Sequence, residues 1–248
     1  MRIGIIGNTR LTYKSILLLL QNDHEIDYVF GLPPIDLKNK VNAYDLSGFC
    51  KKNKITYMDT DDWNAITNRN VDIVFEMGDS RIVPREFLQN NKVIGNHGAV
   101  LPFVQGAASL VWGRMLNNGR WGVSLFELSE KIDSGDILVT KYVKYDPEKT
   151  SMYDFTEICD DATIDCLSEY LYGDYQIRKN SPWQAKLRKS MDSQFVVDVL
   201  QYCWDKNINI YLPPRSLEDA ALYDHWRQRF KTAFITANNL PYPKWFQR

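Results

Sequence analysis

Short apolar runs of four or five residues recur through the first half of the chain, at residues 2–6, 28–32, 55–58, 72–76 and 92–95. Between them lie stretches of helical spacing at 12–21, 44–52, 61–67 and 84–88. No other feature restricts the fold as much. Runs that are apolar at consecutive rather than alternate positions belong to strands buried on both faces. Such strands, alternating with helices, require a parallel sheet with helices packed on each side. The expectation is an α/β fold with a Rossmann-like parallel sheet core, whose sites lie at the carboxyl ends of the strands.

The pattern then changes. A helix is expected at 105–116, two long strands at 123–129 and 137–144, and the loop 130–136 between those strands. A long helix over 151–172 follows, with Thr150 or Ser151 as its N-cap and Asp154 or Glu157 in its first turns. Near 178–190 the chain turns basic and polar around Pro182, which marks a boundary. Residues 1–180 read as the catalytic core domain and residues 181–248 as a small C-terminal appendage. The appendage is expected to hold a helix near 194–205, a strand at 209–212, a break at Pro213 and Pro214, and a helix at 224–236.

The 248 residues suffice for one large domain and a short addition. The 30 Lys and Arg nearly cancel the 31 Asp and Glu, for a formal charge of -1, so no global basic field points to nucleic acid or an anionic membrane. The balance is uneven, however. Residues 181–248 carry ten Lys or Arg and six Asp or Glu, net +4, which leaves -5 on residues 1–180. The four cysteines lie far apart with no CxxC pair, which fits reduced thiols rather than a disulfide framework or a zinc site. The first residues run directly into a strand pattern and the longest apolar run, 16–20, is too short to span a bilayer, so a cytoplasmic protein is expected.

Phosphate-binding signatures are missing: there is no GxxxxGK[ST], and Gly4-Ile5-Ile6-Gly7 is not a GxGxxG. The search for chemistry therefore goes to strand ends. His97 follows the strand at 92–95, and Asp133 sits in the loop 130–136. Taken singly, His97 is a hydrogen-bonded surface histidine and the loop an ordinary hairpin turn. Brought together from two strand ends, they form a proton-transfer pair.

These segments carry a family resemblance. The stretch from Asn96 to Leu138 resembles the core of the folate-dependent formyltransferases, with its Asn-x-His-x-Ser-Leu-Leu-Pro, Arg-Gly, Thr-Gly-Val-Thr and Ile-Asp-Thr-Gly elements. The matches are His97, Leu101-Pro102, Gly106, Gly122-Val123-Ser124 and Ile132-Asp133-Ser134-Gly135-Asp136, in the same order. Residues 71–88 look like the family's strand, glycine loop and Ile-Pro segment. The tail, with Tyr211, Pro213-Pro214-Arg215, Asp224, Trp226 and Pro241-Tyr242-Pro243, is similar to that of the sugar-nucleotide N-formyltransferase branch. Three positions depart from the pattern. Gly95 stands where the family has Asn, Ala99 where it has Ser, and Gln105 where it has Arg. Asn96 is adjacent to His97, so strand alternation aims it away from the histidine unless a bulge intervenes.

The resemblance implies an enzyme that moves a formyl group from 10-formyltetrahydrofolate to the amine of a nucleotide-linked amino sugar, a dideoxy amino hexose for surface polysaccharide. It implies His97, Asp133 and Asn96 as catalytic residues, with His97 serving the developing oxyanion or relaying the proton and Asp133 fixing its orientation. The cofactor would lie against main chain at Met77, Gly78, Ser80, Ile132 and Asp133. The substrate would meet Gln105, Gly106, Tyr211 and Arg215. No metal, nucleic acid or membrane is implied, and a homodimer is. The alternatives are a methionyl-tRNA-type formyltransferase, a formyltetrahydrofolate hydrolase and a degenerate folate or nucleotide-sugar binding protein.

Overall fold

A computed structural model describes residues 1–39, 43–102, 109–116 and 119–180, so the expectations for the appendage at 181–248 lie outside the described residues. The elements are β1 (Arg2–Ile6), α1 (Arg10–Gln21), β2 (Glu25–Gly31), α2 (Pro34–Asn39), α3 (Ser47–Lys52), β3 (Thr56–Asp59) and α4 (Asn64–Thr67). After these come β4 (Ile73–Glu76), α5 (Arg85–Asn90), β5 (Val93–His97), α6 (Ser109–Leu116), β6 (Arg120–Glu127), β7 (Ile137–Lys144) and α7 (Met152–Tyr172).

The strands form one sheet in the order β3-β2-β1-β4-β5-β6-β7. Strands β1 to β5 pair in parallel, as the apolar runs require. The sheet is nonetheless mixed, because β6 is antiparallel to both β5 and β7. Chain order reverses between β1 and β4, the place where doubly wound sheets open a crevice.

Side chains leave the sheet on two faces. Ile3, Ile5, Phe75, Met77 and Ile94 form one apolar layer with Ile16 and Leu19 of α1 and with Phe155, Cys159 and Leu167 of α7. Ile6, Tyr28, Phe30, Val74 and Val93 form the other with Ile66 of α4 and Phe87 of α5. Consecutive apolar residues are thus buried on opposite sides, which is why these strands show no polar alternation.

Several elements differ from expectation at their ends. Helix α1 starts at Arg10 because Thr9 and Thr12 cap it reciprocally. Helix α7, by contrast, starts after Ser151 as expected, and Ser151 shares such a capping box with Asp154. Helix α2 has no counterpart in the sequence reading. Strand β5 runs two residues further than expected, so Asn96 and His97 are strand residues.

Helices α1 and α7 meet through charge as well as apolar contact. Arg10 Nε lies 3.1 Å from Asp160 Oδ2, and its guanidinium stands over the Tyr153 ring. Burial pushes the Asp160 carboxyl up to about 6, with Arg10 pulling the other way. A carboxyl that holds its proton more tightly in the folded state contributes less stability as pH rises between its unfolded and folded pKa values, about 4 to 6 here. Asp160→Asn removes this component. The stability of the unaltered protein minus that of the variant, from chemical denaturation at a series of pH values, is expected to fall across that interval and level off above it. A difference that rises across the interval contradicts the assignment.

Candidate active site

His97 ends β5, opposite Ser124 of β6, with unbroken register through Gly95 and Asn96. Its neighbourhood is fixed by β6: Ser124 Oγ accepts from the Leu101 N–H at 2.8 Å, and Trp121 Nε1 donates to the Gly98 carbonyl at 2.7 Å. His97 Nδ1 lies 3.7 Å from Asp133 Oδ1, with side-chain exposures of only 8% and 11%. That distance is longer than a direct hydrogen bond. It is short enough for one charge to bias the other, and catalytic hydrogen bonds commonly tighten only when substrate binds.

The sequence reading brings the pair together from two strand ends, and the structure corrects this. Because β6 runs antiparallel, its last residue, Glu127, faces Ile94 rather than His97. Residues 128–136 must therefore return over the sheet face to reach the histidine. They lie beside α5, where Arg85 Nε is 2.7 Å from Glu130 Oε1. Two features permit the return. Asp133 adopts a left-handed backbone, φ 50°, which Asp tolerates better than most residues. At Gly135 a Cβ would stand 1.7 Å from the Glu127 carbonyl oxygen, so only glycine fits. Inside the loop, the Ser134 hydroxyl donates to the Lys131 carbonyl at 2.6 Å.

Asn96 is not part of this pair. Strand alternation turns it to the opposite face, where its Oδ1 accepts from the Gly78 N–H at 2.8 Å. A side chain at Gly95, which has the histidine's orientation, would have to displace its neighbours. A Cβ there would meet Leu128 Cδ2 at 2.8 Å and Glu76 Oε2 at 3.1 Å. Glu76 is buried, and its Oε1 accepts from the Asp79 N–H at 2.7 Å.

The loop after β4 is held just as firmly. Met77 N donates to the Ile6 carbonyl, the Thr12 hydroxyl donates to the Met77 carbonyl, and Ser80 N donates to Asp79 Oδ1. The N–H groups of Met77, Gly78 and Ser80 are therefore all committed within the protein. The Met77 carbonyl is occupied as well, by the Thr12 hydroxyl, so this segment is braced through donors and an acceptor alike. Beneath it, Asp79 is buried against Arg81 at 2.7 Å. Arg81 also donates to the Thr60 and Phe30 carbonyls and stacks 4.4 Å from the Phe30 ring centre. Ile82 on this loop and Ile132 on the aspartate loop are both exposed, at 74% and 54%.

Gln105, Gly106, Tyr211 and Arg215 lie outside the described residues. Sequence reasoning missed Glu76, Arg81 and Asn8. Asn8 is fully buried, and neither its Oδ1 nor its Nδ2 has a partner among the described residues. Its signal was position, directly after Gly7 at the carboxyl end of β1. Among the described residues no group of three His, Cys, Asp or Glu side chains is placed to hold a metal ion, and no helix is long and apolar enough to cross a membrane. Burial pushes the Cys50 and Cys166 thiols up to about 11 and about 12, as expected of unreactive core cysteines.

A family model described as formyl transferase matches residues 36–163, more than half of the chain. A methionyl-tRNA formyltransferase of Prochlorococcus marinus (strain MIT 9215) is 27% identical over 164 residues, 59% of this chain and 48% of that protein. The chain spans about half the length of this curated relative. Among solved structures, WlaRD, a sugar 3N-formyl transferase in the presence of dTDP and 5-N-formyl-THF, superimposes with a TM-score of 0.58 at 18% identity, covering 74% of this chain and 68% of its own. An N-formyltransferase from Helicobacter canadensis, in complex with folinic acid and dTDP-3-aminofucose, gives 0.57 at 17% identity, covering 73% and 68%. At such identities the structural likeness establishes the fold.

The Asp79–Arg81 pair supplies a direct test of how the loop after β4 is held. Arg81→Ala leaves a carboxylate buried without its partner, which costs about 3–5 kcal/mol. Urea denaturation is expected to show a loss of that size. A loss below about 1 kcal/mol, as for an exposed pair, contradicts the assignment.

Proposed function

The chain belongs to the formyl transferase family, and on that premise we propose that it transfers a formyl group from 10-formyltetrahydrofolate to the amine of a nucleotide-linked amino sugar. The observation that carries this reading is the buried approach of His97 and Asp133 at the crevice edge of the sheet. Bound formyl-folate supplies an activated formyl group on nitrogen. The protein must then stabilise the oxygen on which negative charge develops and take one proton from the attacking amine. His97, positioned by β5 and half-enclosed by the aspartate loop, donates an N–H to that oxygen. Asp133 orients the imidazole, favours its charged form and accepts the amine proton, which then passes to the folate nitrogen as its bond to the formyl carbon breaks.

The surrounding residues fit a folate. A reduced pterin presents ring N–H and amino donors, and the loop after β4 has carbonyl oxygens to meet them while its own N–H groups at Met77, Gly78 and Ser80 are occupied. Exposed Ile82 and Ile132 provide apolar surface for a flat ring. Asn96 supports that loop through Gly78 rather than serving the reacting atoms. The folate ligands of the two structural neighbours, with dTDP in one and dTDP-3-aminofucose in the other, support the choice of donor and acceptor class.

A second reading, transfer to methionyl-tRNA, is favoured by the curated sequence relatives. The net charge of -5 on residues 1–180 weighs against it, because polyanion binding depends on a dense basic footprint. Mass spectrometry of mixtures holding 10-formyltetrahydrofolate, dTDP-linked amino sugars and methionyl-tRNA separates the two. Gain of one formyl group on a sugar is expected, and gain on the tRNA alone overturns the sugar reading. In the same assay His97→Asn and Asp133→Asn are expected to lower kcat/KM at least about 100-fold while leaving the melting temperature within a few degrees. Full activity in either variant sinks the assignment.

A further inference from the structure

The aspartate loop is held from outside by a residue that is distant in sequence. Asn180 Nδ2 donates to the carbonyl oxygens of Asp133, at 3.2 Å, and Gly135, at 2.7 Å. The residues just before it bind the same region. Arg178 and Ile137 exchange both main-chain hydrogen bonds, at 2.8 and 2.9 Å, Arg178 Nη2 donates to Thr140 Oγ1, and Lys179 Nζ pairs with Asp136. The segment that leaves α7 thus forms a short extra pairing along β7 and ends with an amide pressed against the loop.

We propose that Asn180 is a positioning residue for Asp133: its amide, bridging the carbonyls at 133 and 135, holds the left-handed turn that presents the carboxylate to His97. This rests on the functional reading above only for its consequence on rate.

The chemistry of the site requires an amide there. One NH2 group has two hydrogens and can serve two carbonyls at once. The opposite amide orientation would set an oxygen against two acceptors, so the hydrogen-bond network itself fixes which atom faces the loop. The two carbonyls flank the backbone turn that starts at Asp133 with φ 50°. A non-glycine residue at positive φ persists only where its surroundings over-determine it. Gly135 constrains the loop from the inner side, against the Glu127 carbonyl, and Asn180 constrains it from the outer side. Released from Asn180, the turn can relax toward ordinary φ, and the Asp133 carboxylate then leaves the 3.7 Å approach to His97.

The test follows the His97 imidazole by NMR titration, with the resonance assigned by its loss in His97→Asn. A carboxylate at this distance raises the imidazole pKa, so Asp133→Asn lowers it and sets the full scale of the interaction. Asn180→Ala is expected to lower it by at least half of that amount. Asn180→Leu, which keeps the shape but offers the loop carbonyls no donor and adds no charge, is the second variant in case Asn180→Ala does not fold, and the same shift is expected. Melting temperature and the amide spectrum of the sheet report folding independently. An Asn180 variant that is folded and titrates at the unaltered protein's pKa overturns the proposal. In formyl transfer, kcat is expected to fall at least tenfold with KM for the donor changed less than threefold. A rise in KM alone, with kcat intact, assigns Asn180 to the ligand pocket instead and also overturns it. The titration does not require any activity, so absence of formyl transfer in the unaltered protein would count against the functional reading and leave the test of Asn180 standing.

Discussion

The reversed direction of β6 is the constraint on which the site depends. A parallel strand in its place would deliver the following loop directly to the carboxyl edge of the sheet. The antiparallel one ends opposite Ile94 and obliges the loop to come back over β5. A loop that returns in this way packs against its own strand, and Gly135 is where it touches: a single methyl group would collide with the Glu127 carbonyl. The left-handed Asp133, the Ser129 and Ser134 hydroxyls that donate to the Lys131 carbonyl, and the amide of Asn180 all follow from holding that returning path in one shape. The aspartate meets the histidine because of backbone geometry, with the side chains arriving last.

The opposite wall of the crevice is built on a different principle. The loop after β4 owes its shape to buried charge: Asp79 and Arg81 form a desolvated pair, and the guanidinium ties the ends of β2 and β3 to the loop through the Phe30 and Thr60 carbonyls. Glu76 and Asn96 receive the N–H groups of Asp79 and Gly78. Truncating one partner of such a network leaves the others buried without compensation, which makes it more consequential than an exposed ion pair of the same length. One wall is therefore set by close backbone approach and the other by internal satisfaction of polar groups. Both are held in place by contacts within the protein itself.

How far this was legible in the sequence differs from element to element. The apolar runs specify the parallel core because burial on both faces has no other simple solution, and β7 and α7 lie where their period and caps place them. His97 and Asp133 were legible as a pair because both belong to recurring motifs. Strand direction was not, since an apolar pattern reads the same in either direction. The end of β5 was misplaced for a related reason. The local sequence Gly95-Asn96-His97-Gly98 has the composition of a turn, yet pairing with β6 carries the strand through His97. Alternation did send Asn96 away from the histidine, and the unbroken register leaves it there. Asn180 was beyond reach: no local rule links an asparagine in a polar stretch to carbonyls 45 and 47 positions earlier.

Donor and acceptor are proposed to meet at the His97–Asp133 pair, between the two walls. A crystal structure of the full chain with an unreactive formyl-folate and a nucleotide-linked amino sugar addresses this most directly. The account predicts the formyl carbon and the sugar nitrogen at near-attack separation, about 3–3.5 Å, with the formyl oxygen in hydrogen-bond reach of His97 and the amine in reach of Asp133. Density for the formyl group and amine at any place remote from both side chains would contradict it.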